Sequence, residues 1–184
     1  MKLHSVRNMA LCALFAAVMA VCSQISVPLP GLPLTLQTFA AALCGFLLSW
    51  RYAPTSVIVW LLLGAAGMPV FSNFRGGFSV LAGPTGGFII GFVPMSLLCG
   101  VNVKSFPAKV FCAAAGLIVC HAAGDAQFAA VTGMDFKRAL AVASLPYLLK
   151  DAASVAAAFA LARTVRNRAG GILQSSLKKR NTRP

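Results

Sequence analysis

Six apolar stretches follow one another along this 184-residue chain, each bounded by proline, by charge or by an aromatic–basic pair. Each approaches the ~20 residues that a helix needs to cross ~30 Å of hydrocarbon. This pattern constrains the fold more than any other feature. The apolar period is helical, and the ~10-residue alternating segments of a membrane β-barrel are absent. The spans run over about 9–27, 34–50, 54–68, 84–101, 107–131 and 145–166. Pro28, Pro30 and Pro33 stop the first, and Trp50-Arg51-Tyr52 forms an interfacial belt at the end of the second. The sixth opens on Ser144 as a candidate N-cap, with Pro146 in its first turn. Only 10% of residues are charged, against about 25% in a soluble domain. The expectation is one all-α, polytopic six-transmembrane-helix domain over residues 1–166, followed by a basic tail over 167–184. No room remains for a soluble catalytic domain, and no internal repeat of domain-building length is present.

The net charge of +13 raises a nucleic-acid reading, but the distribution argues against it. Seven of the sixteen Lys and Arg residues fall between Arg163 and Arg183, with no aromatic residue interleaved. Such a tail reads as a solvated anchor against anionic membrane lipids. With the N-terminus inside, cytoplasmic segments collect twelve cations (Lys2, Arg7, Arg51, Lys104, Lys109 and the tail) and external ones three (Arg75, Lys137, Arg138). The positive-inside rule then places both termini in the cytoplasm. The chain is expected as a multi-pass protein of a bacterial cytoplasmic (inner) membrane. Lys2, His4 and Arg7 before an apolar run imitate a secretory signal, and Ala20-Val21-Cys22 imitates a lipoprotein cleavage site. Because similar spans follow, this segment is read as a retained first span. The six cysteines (12, 22, 44, 99, 112, 120) all lie in apolar stretches without a CxxC, and read as packing residues.

The chemistry concentrates in three places. The first is the Gly-, Pro- and Phe-rich connection Gly67–Gly86, too long for a simple turn and predicted to lie outside the membrane. Phe71, Phe74 and Phe78 supply aromatic walls, Asn73 and Arg75 polar groups, and glycines 76, 77, 83, 86 and 87 room for close approach. No GxxxxGK[ST] is present, so no nucleotide hydrolysis is expected of this chain. The second is the set Lys150, Asp151 and Ser154, expected on one wall about one turn below the external end of the sixth helix. Ionisable groups inside a span are functional candidates by default. The third is His121 with Asp125, four apart. No further metal ligand sits at a sensible spacing, so no metal is expected and the pair reads as a helix–helix hydrogen bond. An intramembrane hydrolase or transferase using His121, Asp125 and a cysteine is the rival of a different class. In the first span, Ala13–Ala17 and Ala16–Ala20 give small-xxx-small spacing, which permits close helix approach.

Three segments carry a family resemblance: Pro30–Thr38 (PGLPLTLQT), Gly64–Phe71 (GAAGMPVF) and Gly76–Phe92 (GGFSVLAGPTGGFIIGF). Together they resemble the BioY family, the biotin-specific S components of energy-coupling-factor (ECF) transporters, over roughly residues 10 to 165. The resemblance implies a six-helix membrane bundle with a biotin pocket closed by the long connection. It also implies docking of the first helix, through Ala13, Ala16, Ala17 and Ala20, onto a transmembrane T component. Two ABC-type ATPases would energise transport. No cofactor, enzymatic activity or nucleic-acid partner is implied. The family shows a Pro-aromatic-x-x-Gly-Asp-x-x-Lys pattern whose Asp and Lys contact biotin. Here Pro146, Tyr147 and Asp151 match, whereas Lys150 stands at the glycine and Ser154 at the lysine. Asp151 is therefore expected to accept from the ureido N–H groups, with Lys150 or Arg75 meeting the carbonyl or the carboxylate. Gln37 and Asn73 are secondary candidates, and Gly86 and Gly87 complete the set. An S component for another vitamin is the nearer rival.

Overall fold

The computed structural model describes residues 3–27 and 32–181, with side chains described over 6–27 and 32–168. Lys2, Pro28, Pro30 and Arg183 lie outside the described residues, as do the side chains of His4, Lys178, Lys179 and Arg180.

The fold is an all-α membrane bundle. Its helices are α1 (Leu3–Gln24), α2 (Gln37–Leu47), α3 (Tyr52–Ala65), α4 (Phe78–Ala82), α5 (Gly86–Cys99), α6 (Phe106–Thr132), α7 (Phe136–Ala139) and α8 (Leu145–Asn181). Three helical stretches are long and apolar enough to cross a bilayer by length and composition: Val6–Gln24, Phe106–Thr132 and Phe136–Arg168. The apolar helices α2, α3 and α5 are shorter, at 11, 14 and 14 residues.

Helix α2 sits at the centre, and nine of its eleven residues are buried, from Gln37 to Phe46 with only Phe39 less so. It touches α1, α3, α5 and α8, which is why its sequence is apolar or small all round. Before it, β1 (Ser26–Val27) pairs antiparallel with β2 (Leu34–Thr35), Ser26 opposite Thr35. This short ladder sets Leu34 and Thr35 beside the end of α1.

The long connection is tied down rather than loose. Trp60 donates its indole N–H to the Val70 carbonyl at 3.0 Å, and Gln24 donates to the Phe71 carbonyl at 3.0 Å. Gln24 also accepts from the Phe74 amide at 2.9 Å. Phe71 meets Trp60 edge-on, with ring centroids 5.1 Å apart. At its far end Gln127 of α6 donates to the carbonyls of Leu81 and Gly83 at 2.6 and 2.9 Å.

One helix start differs from the sequence reading. Ser144 is not an N-cap, because a π-helical turn, Leu140–Ser144, joins α7 to α8 as one helical path. A wider turn just before Pro146 accommodates the missing N–H and the ring. The cap is Asp135, which accepts from the Lys137 amide at 3.2 Å. Asp151 thus lies 15 residues from Phe136, about 22 Å along the helical path, and not one turn from the helix start.

Candidate functional site

A chain of buried polar groups crosses from α8 to α6. Lys150 and Asp151 form an ion pair, and Lys150 Nζ also donates to the Thr35 carbonyl at 2.9 Å. His121 Nε2 lies 3.3 Å from Asp151 Oδ2. The other imidazole nitrogen, Nδ1, is 2.7 Å from Ser144 Oγ. That hydroxyl donates to Asp125, lying 2.7 Å from each carboxylate oxygen. Having given its one proton to Asp125, Ser144 meets His121 as an acceptor. Two carboxylates inside an apolar bundle thereby each hold a specific partner, as buried charge requires.

The sequence places these groups by simple local rules. His121 and Asp125 are four apart on α6 and share a face. Tyr147 and Lys150 are three apart on α8, and both reach the α1–α2 connection, Tyr147 donating its hydroxyl to the Leu32 carbonyl. Gly87 brings α5 against α6: a Cβ there would sit 2.3 Å from the Ala123 carbonyl oxygen. That close approach turns Phe88, Ile89 and Phe92 toward the same space, and Phe88 packs edge-on against His121 with centroids 5.7 Å apart.

Between these elements lies a cavity of about 60 Å³. Its polar lining comes from Thr35, Gln37, Thr38, His121, Lys150 and Asp151, and its aromatic lining from Phe88, Phe92 and Tyr147. Ser72, at the tip of the long connection, and Thr85 close it from above. Two atoms in this wall have unspent hydrogen-bonding capacity. Gln37 Nε2 has no partner, its Oε1 being taken by the Thr35 hydroxyl at 3.1 Å. Asp151 Oδ1 is held by Lys150 in the ion pair and keeps a further lone pair. Leaving the Gln37 donor buried and unsatisfied costs about 1–3 kcal/mol. One orphan donor and one carboxylate with remaining lone pairs therefore line one small space, the complement of a ligand bearing a carbonyl beside an N–H.

The structure brings some of the sequence candidates together and separates others. Asp151, Lys150 and Gln37 line the cavity. Ser154 is buried but stands outside its wall. Phe71 is wholly buried in the Trp60 contact, whereas Phe74 and Phe78 are 73% and 72% exposed. Arg75 and Asn73 are also exposed, and Asn73 serves to tether the loop by accepting from Ser26 at 2.9 Å. Gly86 and Gly87 pack against Leu81, Ala123 and Gln127 rather than facing the cavity. On α1, Ala16 is buried while Ala13 and Ala17 are exposed on the outer face, with Ala20 between these extremes. The cavity residues that the sequence reading did not select include Thr35, Thr38, Ser72, Thr85, Phe88 and Phe92, and His121 was read there as structural only. Thr35 and Thr38 lie in the LTLQT segment and Thr85 and Phe88 in GPTGGF, so those segments contained a signal.

Ser144, His121 and Asp151 have the composition of a hydrolytic triad. Ser144 is 3% exposed, does not line the cavity and spends its proton on Asp125, so no substrate reaches it. Among the described residues no cluster of three or more His, Cys, Asp or Glu side chains is placed to hold a metal ion.

Comparison with known proteins agrees with this architecture. A profile of the BioY family matches residues 1–171. The biotin transporter BioY of Thermotoga maritima is 34% identical over 148 residues, covering 79% of this chain and 87% of the relative. The probable biotin transporter BioY of Pyrococcus horikoshii is 34% identical over 156 residues, covering 85% and 94%. A crystal structure of the S-component for biotin from an ECF-type ABC transporter superposes with a TM-score of 0.82. That likeness covers 91% of this chain and 95% of the other at 20% identity, and it is a likeness of fold. These relatives bear transporter names, not enzyme names. With the family pattern matched over nearly the whole length and two relatives this similar, the chain belongs to the BioY family.

Proposed function

We propose that this chain captures biotin in the cavity between α2, α5, α6 and α8, and serves biotin uptake as the substrate-binding subunit of an ECF transporter. The observation that carries this reading is the unpaired Gln37 donor in the same cavity wall as Asp151, whose carboxylate is held by Lys150 and His121. A ureido ring presents a carbonyl and two N–H groups on one planar edge. Its carbonyl accepts from Gln37 and its N–H donates to Asp151, while Phe88 and Phe92 cover the apolar ring. Lys150 stays with Asp151 and supplies the cation that the family pattern puts at position 154. The T component and two ABC-type ATPases are the expected energising partners. The exposed pair Ala13 and Ala17 offers the close-approach face on α1. Both termini face the cytoplasm of the cell membrane in this reading.

Titration of the purified full chain with biotin, desthiobiotin, thiamine and riboflavin tests the assignment. Biotin and desthiobiotin, which share the ureido ring, bind, and the other two do not. Asp151→Asn weakens biotin about 10- to 150-fold, the range of a lost charged hydrogen bond, while the protein remains monodisperse. Tighter binding of thiamine or riboflavin, or unchanged biotin affinity in the variant, sinks the reading.

A further inference from the structure

The end of the bundle away from the Lys150–Asp151 cavity has a charge imbalance that none of the chain's carboxylate side chains settles. Lys109, Arg163 and Arg166 line a cleft of about 430 Å³ there, together with Asn102 and Asn167. The chain has three carboxylate side chains in all, Asp125, Asp135 and Asp151. Asp125 and Asp151 are committed to the buried network and Asp135 caps α7. Arg166 lies 15 residues along α8 from Asp151, about 22 Å by helical rise. Among the described residues its hydrogen-bond partner in the cleft is the Phe46 carbonyl at the end of α2. Three cations thus converge where no carboxylate side chain of this chain arrives.

A second feature opens into the same cleft. Beyond the His121–Asp151 contact, helices α6 and α8 have few close approaches, whereas α5 packs along the length of α6. The gap between them is an apolar groove of about 300 Å³, and it shares Phe46, Lys109 and Phe159 with the basic cleft. Small residues, Ala113 and Ala114 on α6 with Ala152 and Ala156 on α8, create the groove. Its α6 wall runs from Phe106 to Leu117. Eleven residues of rise make about 16 Å, close to half of a ~30 Å hydrocarbon core. The edge-on stack of Phe46 on Phe159, with centroids 5.3 Å apart, marks the boundary between cleft and groove.

We propose that this end of the bundle holds one anionic glycerophospholipid. Its phosphate sits among Lys109, Arg163 and Arg166, and one acyl chain fills the α6–α8 groove. A free anion accounts for the cleft and leaves the groove empty. An apolar helix from a partner accounts for the groove and leaves three cations unpaired. A lipid with a negative head and a one-leaflet tail satisfies both, and basic pockets between membrane helices are the usual seat of such headgroups.

Native mass spectrometry of the full chain, delipidated in mild detergent, tests this without any mutation. Phosphatidylglycerol is expected to bind one per chain and at least about tenfold more tightly than phosphatidylcholine of the same acyl composition. The triple change Lys109→Gln, Arg163→Gln, Arg166→Gln is expected to weaken phosphatidylglycerol about a hundredfold, since each basic residue near a headgroup contributes roughly fivefold. Filling the groove by Ala114→Phe with Ala156→Phe weakens the lipid but not glycerol phosphate. Equal retention of the two lipids overturns the proposal, as does phosphatidylglycerol binding that survives the triple change. Glycerol phosphate binding as tightly as phosphatidylglycerol shows a phosphate site without a lipid role, and overturns it too. None of these residues lines the biotin cavity, so retained biotin binding reports a folded variant.

Discussion

Gln37 is anchored at one end and open at the other. Thr35 holds its carbonyl oxygen, which fixes the carboxamide plane and aims the NH₂ away from the hairpin. Replacing it by leucine keeps the bulk and removes the donor. Gln37→Leu is expected to weaken biotin about tenfold, the range for a neutral hydrogen bond made inside a dry site, as read by isothermal titration. Ser154→Ala is expected to stay within about twofold of the parent, because Ser154 lies outside the cavity wall. The pair of results separates a cavity donor from a residue that merely occupies the family's lysine position. His121 works at the same scale. Its two nitrogens join Asp151 to Ser144, so the carboxylate is held by His121 at Oδ2 and by Lys150 at Oδ1, and a ligand N–H uses the lone pairs that remain.

At the scale of elements, the long connection is held by its first half. Phe71 fills a slot against Trp60 that exists only because Gly64 has no side chain: a Cβ there would lie 2.1 Å from Phe71 Cζ. Gly64→Leu is expected to expel Phe71 and release residues 67–86. The checks are a lower thermal midpoint in detergent and faster proteolysis within that stretch. The turn beyond it is strained, with Asn73 and Phe74 at φ of 58° and 55°. A bulky aromatic in left-handed backbone is uncommon, and here Gln24 and Ser26 hold the turn in place. This division of labour was not legible in the sequence. Phe71, Phe74 and Phe78 look alike in a segment with no hydrophobic period, and only the partner Trp60 distinguishes the first. Ser144 misled for a related reason. Serine two residues before proline is a sound local start signal, but tertiary contacts 19 and 23 residues back claimed its hydroxyl. Asp151 and Lys150 were legible because adjacent opposite charges in an apolar run are too costly to persist in a membrane span without a role.

For the whole molecule, the all-α bundle followed from apolar period and composition alone. The helix lengths did not, because α2, α3 and α5 give up their ends to a hairpin, a belt and a loop. The orientation carries its own prediction. On a cysteine-free background, Arg75→Cys is expected to react with a membrane-impermeant maleimide on intact cells, and Asn102→Cys only after permeabilisation. The reverse pattern inverts the proposed topology. The cavity also has a consequence in time. Its roughly 60 Å³ falls far below the ~300 Å³ at which pockets begin to hold drug-sized ligands. A bicyclic ring with an acyl tail enters only after the hairpin held by Tyr147 and Lys150, or the loop tip at Ser72, has moved aside. Arrival is then expected to be paced by the protein's own opening, with an association rate below the ~10⁵–10⁷ M⁻¹s⁻¹ of ordinary docking. In stopped-flow measurements at high ligand concentration the observed rate is expected to level off, at a plateau set by the frequency of that opening.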